Sequence, residues 1–211
     1  MAGAIKLTMT SPIPTKEQAL EILAPISPEI FRAFEDGISK ATTYFKNEGI
    51  EPRDPWAFAM IVKLHARENL RKSPNCSGVT FDRLSLCGIS FHYKDWQIRL
   101  WRSADHANPK LPHPGRSDSK REYYVQPDLF PYRKTEPTEL RFVILWDVNR
   151  DSKLEALWLV FPRNFNQKTG EITVYWDVEL PNPIFAVQAP SETTPVPDLP
   201  YQIKEKKKKE G

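Results

Sequence analysis

The chain has 211 residues and a mass of 24.4 kDa; 40% are hydrophobic, 27% charged and 11% aromatic. That length suffices for one domain with a real core, and 6 Trp, 11 Phe and 7 Tyr exclude a chain disordered throughout. With 8 Gly, 2 Cys and no heptad repeat, collagen, disulfide scaffold and coiled coil are excluded as well. The net charge of +3 is unevenly spread: −2 over residues 1–52, +7 over 53–134, −5 over 135–199 and +3 over 200–211. A basic middle beside an acidic third points to anionic partners.

Residues 1–14 hold a single Lys and no apolar run suited to export, so a flexible N-terminus and a cytoplasmic location are expected. No stretch approaches the ~18 apolar residues of a membrane span, so no membrane partner is expected. Cys76 and Cys87 read as free thiols, at least partly buried.

Thr15-Lys16-Glu17-Gln18 is a capping box that predicts a short helix to about Leu23. Ser27-Pro28-Glu29 places a cap, a proline that needs no donor and a first-turn acid ahead of a 3.6-period stripe. That stripe is Ile30, Phe31, Phe34, Ile38, Ala41 and Phe45, and Gly49 ends it. Asp54-Pro55 repeats the start, and the third helix runs to about Lys72 with Phe58, Ile61, Val62 and Leu70 buried. Lys63, Arg67, Arg71 and Lys72 are left on its other face.

After Pro74 the pattern changes to strands. Leu84 to Tyr93 and Gln97 to Trp101 are β-like about a Lys94-Asp95 turn. Residues 102–122 read as a loop, and Glu122 to Gln126 as a short strand. Leu140 to Val148, Leu154 to Phe161 and Glu171 to Leu180 form an antiparallel meander, with Trp146, Ala156 and Trp158 expected on one shared face. Strand 140–148 is apolar on both sides, as a central strand covered on both faces would be. The fold class expected is α+β: N-terminal helices packed on one face of an antiparallel sheet of about five strands, a single domain over 15–185. Residues 186–211, Pro-rich with Lys206 to Lys209 near the end, are expected to be a disordered tail.

The familiar catalytic signatures are missing: the chain holds no P-loop, GxGxxG, GxSxG, HExxH or CxxC. Asp105, His106 and His113 are metal-ligand types, yet loop positions among prolines are poorly preorganised, and no metal or cofactor is assigned. If the strand faces match, Asp147 opposes Glu155 away from the tryptophans. Opposed carboxylates call for a cation or proton between them, which a metal-dependent nuclease or phosphodiesterase would supply. In the plainer alternative the pair lies at the wet end of a hairpin, neutralised by Arg150 and Lys153, and Glu155-Ala156-Leu157 lacks an acid-x-Lys step.

The stronger lead is basic and aromatic. Arg99 and Arg102 flank Trp101, while Arg116, Lys120 and Arg121 precede Tyr123. Cations interleaved with aromatics suit phosphate neutralisation and base stacking, and the helical cations Lys63, Arg67, Arg71 and Lys72 extend the set. These residues predict a non-enzymatic regulatory or adaptor protein that contacts DNA or RNA. A third reading is a protein–protein module working through the Pro-rich tail or an aromatic patch.

Overall fold

The structure is a computed structural model, and it describes residues 13–50, 54–83, 88–103, 110–115, 117–126, 139–149 and 151–183. The expectations for residues 1–12 and for the tail after 183 lie outside these residues, as do Cys87, Asp105, His106, Arg116 and Arg150.

Three helices come first: α1 (Lys16–Leu23), α2 (Ser27–Asn47) and α3 (Pro55–Lys72). The capping box forms as expected. The Gln18 amide donates to Thr15 Oγ1 at 3.3 Å and the Thr15 amide donates to Gln18 Oε1 at 3.0 Å. Asp54 caps α3 by accepting from the Ala57 amide at 2.7 Å. At α2 the expectation fails by one residue: Ser27 is already helical, Ile26 is the cap, and no side chain caps the helix. The turn from α1 is so short that Ser27 is drawn into the core, where it is buried.

α2 and α3 lie against each other along the small residues Ala33, Gly37, Ala41 and Ala66, all buried. Polar bonds pin the pair at its margins. Asn69 donates to Asp36, and Glu29 at the start of α2 accepts from Ser73 at 2.9 Å and Asn75 at 3.0 Å, just beyond α3.

Among the described residues the sheet has six strands in sequence order: β1 (Val79–Phe81), β2 (Ile89–Tyr93), β3 (Trp96–Arg102), β4 (Leu140–Val148), β5 (Leu154–Phe165) and β6 (Ile172–Glu179). The architecture is α+β as expected, with six strands rather than five. All neighbours are antiparallel except β3 and β4, which run parallel. A parallel pair needs a crossover connection, and it carries α4 (Asp118–Tyr124). The short strand expected at 122–126 is instead the end of this helix, because Tyr123 and Tyr124 are both turned onto the sheet.

Alternation sorts the strand residues into two layers. Phe91, Ile98, Leu100, Phe142, Ile144, Trp146, Leu157, Leu159 and Phe161 join the buried faces of α1–α3 in the main core. Phe142 stacks on Phe161 at 4.6 Å between ring centres, and Phe34 of α2 meets Trp146 at 5.2 Å. On the other face Val143, Leu145 and Val160 pack with Leu111, Tyr123 and Tyr124. β4 is therefore buried on both sides, which its doubly apolar sequence demands.

Candidate nucleic-acid interface

The sequence-derived cations do not form one surface. The sheet lies between them, with α3 on the helical face and the β3–α4 set on the other.

On α3, Phe58, Val62, Ala66 and Leu70 face the core. Residues at offsets of three and four on the opposite side are Trp56, Met60, Lys63, Leu64, Arg67 and Arg71, a stripe running about 22 Å along the axis. Trp56 is 68% exposed and Leu64 47%. An indole so open is unusual for a residue that normally contributes its large area to a core or an interface. Arg67 makes no ion pair among the described residues, and Arg71 makes only a 3.8 Å contact with Glu68. Arg71 and Lys72 also sit in the last turn, where positive charge complements the helix dipole. Arg102 reaches this side from β3: its Nη1 donates to the Pro55 carbonyl at 3.2 Å, one residue from Trp56.

The other set is more committed to structure. Tyr123 is 2% exposed, and its hydroxyl lies within hydrogen-bonding distance of the carbonyls of Gln97 (2.8 Å) and Phe142 (2.7 Å). Its ring meets Trp101 edge-on at 5.4 Å and carries the Arg99 guanidinium at 4.1 Å. Such a ring is not open to a base. Trp101 is half-buried against Tyr123 and Tyr124, with Lys120 Nζ 5.8 Å from its centre. Arg121 donates from Nε and Nη2 to the Gly115 carbonyl, at 3.0 and 2.7 Å, and so holds the loop ahead of α4.

The strand carboxylates differ in their surroundings. The expected register, Trp146 opposite Ala156, is replaced by Trp146 opposite Leu157, and a shift follows before Val148 meets Leu154. One residue of β4, Asp147, thus faces two of β5, Glu155 and Ala156, in a bulge. Asp147 is buried, accepts from the Val148 amide and lies 3.8 Å from Arg102 Nε, whereas Glu155 is exposed. Among the described residues no group of three His, Cys, Asp or Glu is placed to hold a metal ion.

The sequence reading passed over a cluster around His92. Its Nε2 is 2.7 Å from Asp82 Oδ1, and its Nδ1 bonds Glu139. Asp82 Oδ2 accepts from Ser90 at 2.6 Å and Gln97 at 3.2 Å. Burial works against the charged imidazole, but the bonds and charges of Glu139 and Asp82 outweigh it and raise the His92 pKa. Burial likewise opposes the Asp82 carboxylate, yet bonds from Ser90, Gln97 and His92 hold its pKa below the ordinary value. The only sequence signal was polar alternation, Ser90 and His92 opposite Arg99 and Gln97, and Glu139 lies 47 residues from His92.

No family model matches this chain, and neither characterised proteins nor solved structures match it.

Proposed function

We propose that this protein is a non-enzymatic cytoplasmic regulatory or adaptor protein that contacts DNA or RNA along α3. The observation that carries this reading is the open indole of Trp56 on the same stripe as Arg67 and Arg71. Basic side chains on successive turns neutralise phosphates, and an exposed aromatic offers a stacking platform to any base. A base can stack on Trp56 only when it is free of its duplex neighbours, so single strands are favoured over duplexes. No specificity-reading motif accompanies the stripe, and the contact is therefore sequence-tolerant.

The test is fluorescence anisotropy with short single- and double-stranded DNA and RNA over a range of salt. The stripe cations Arg67 and Arg71, with Lys72 in the adjoining last turn, give a slope of about −2 in log K against log salt for single strands. Binding insensitive to salt, or none near ~50 mM salt, refutes the reading and turns attention to a protein partner for the same stripe.

A further inference from the structure

We propose that Arg99 is the centre of a binding site for a phosphate monoester, on the sheet face opposite α3. Arg99 lies mid-strand in β3, across from Ser90 of β2 and beside Val143 of β4. Its side chain is half-buried and its guanidinium rests on the Tyr123 ring. Nε is fully buried with no hydrogen-bond partner, and among the described residues the guanidinium makes no hydrogen bond and no ion pair. A buried Nε donor without an acceptor is costly, and native structures rarely leave one unanswered, while the rest of the half-buried guanidinium stays open to a ligand from solvent.

The nearby carboxylate does not answer it. Asp82 has one oxygen on His92 and the other accepting from Ser90 and Gln97. Glu139, on the far side of the same cluster, is bonded to His92. A second guanidinium instead adds positive charge: Arg141 approaches the same Tyr123 ring at 5.9 Å while its Nη1 donates to the carbonyls of Glu122 and Val125. Burial lowers the Arg99 pKa from its ordinary value and Arg141 adds to that, with Tyr123 and Asp82 opposing.

Arg99 and Arg141 stand beside one ring, and both nearby carboxylates, Asp82 and Glu139, are already bonded to His92. A phosphate monoester carries close to two charges near neutral pH and offers the oxygen pair that a planar guanidinium fork matches. A phosphodiester strand carries one charge per phosphate, fits the open α3 stripe better, and is kept for that face.

The test uses the full chain. Its thermal unfolding and titration calorimetry are compared in sodium phosphate, in a nucleoside 5′-monophosphate and in sodium chloride of equal ionic strength. Both phosphates should raise the melting temperature above the chloride control, with one site per chain. Arg99→Met keeps the apolar stem over Tyr123 and should abolish that difference, while the ligand-free variant is at least as stable as the parent. Arg99→Lys keeps the charge but loses the fork and should bind about tenfold more weakly; it decides the matter if the Met variant does not fold. Equal effects of phosphate and chloride, a phosphate effect that survives Arg99→Met, or undiminished affinity in Arg99→Lys each overturn the proposal. A response to Arg99→Met seen only with oligonucleotides also overturns it. Charge reversal at Arg67 and Arg71 should leave monoester binding unchanged, so this site and the α3 surface stand or fall separately.

Discussion

Gly37 is where α2 and α3 come closest, and replacing it by Ala gives a sharp test of that packing. A Cβ there would lie 2.7 Å from the Val62 carbonyl oxygen and 3.4 Å from the Ala66 nitrogen. Relaxed carbon–oxygen contacts fall near 3.3–3.6 Å, so the helices must part by roughly 0.7 Å. Both obstacles are backbone atoms, and no rotamer change relieves them. Ala is the better helix former by about 1 kcal/mol, which offsets part of an overpacking cost of about 1–3 kcal/mol. Separation also loosens Val62 and Ala66, both fully buried, and adds to that cost. The expected net loss is about 1–2 kcal/mol, or roughly 3–6 °C in Tm for a domain of this size. Chemical denaturation followed by circular dichroism and Trp fluorescence reads it, with exposed Ser39→Ala on the same helix as the control. A Gly37→Ala protein as stable as that control would refute the close approach, and with it the way α3 is seated.

Tyr123→Phe removes a hydroxyl that lies within hydrogen-bonding distance of the carbonyls of Gln97 and Phe142. It should cost about 1–3 kcal/mol in chemical denaturation, because an acceptor is left without its donor. The His92 cluster makes stability depend on pH in a defined way. The raised His92 pKa stabilises fully below about pH 6.5, and that contribution is lost as pH rises through the folded-state value. The lowered Asp82 pKa stabilises above about pH 3.9 and is lost as pH falls through its folded-state value. Melting curves should therefore decline on both sides of that window, and His92→Gln should flatten the alkaline side; an unchanged alkaline limb contradicts the assignment. Trp56→Ala should leave the melting temperature unchanged, since the ring is mostly in solvent, and weaken single-strand binding by about 1–3 kcal/mol.

The helices were legible because their signals are local. Thr15 with Gln18 and Asp54 with Pro55 lie within one turn, and the stripe from Ile30 to Phe45 repeats at the helical period. α4 was not legible: it has seven residues, and what makes it helical is the docking of Tyr123 and Tyr124 onto strands that follow it in the chain. The parallel pairing of β3 with β4 was hidden for the same reason, since it joins segments about 40 residues apart. The shared face expected for Trp146 and Trp158 failed on a single bulge, because one extra residue on β5 moves Trp158 to the other side from Trp146. At the candidate surface the sequence named the α3 cations, but it could not say that Trp56 is open and Tyr123 closed. Exposure of one aromatic ring depends on what the rest of the chain brings over it.

The most direct test of the α3 surface compares two charge-reversal variants in one titration. Arg67→Glu with Arg71→Glu alters the stripe, and Lys120→Glu alters the opposite face, where Lys120 sits near Trp101. Binding of a fluorescent single strand is followed by anisotropy between low and physiological salt. The α3 variant should lose most of its affinity and flatten the salt slope by about 1.4 log units, with the Lys120 variant close to the parent. If instead the α3 variant binds as the parent does, with the parent's salt slope, α3 is not the nucleic-acid surface.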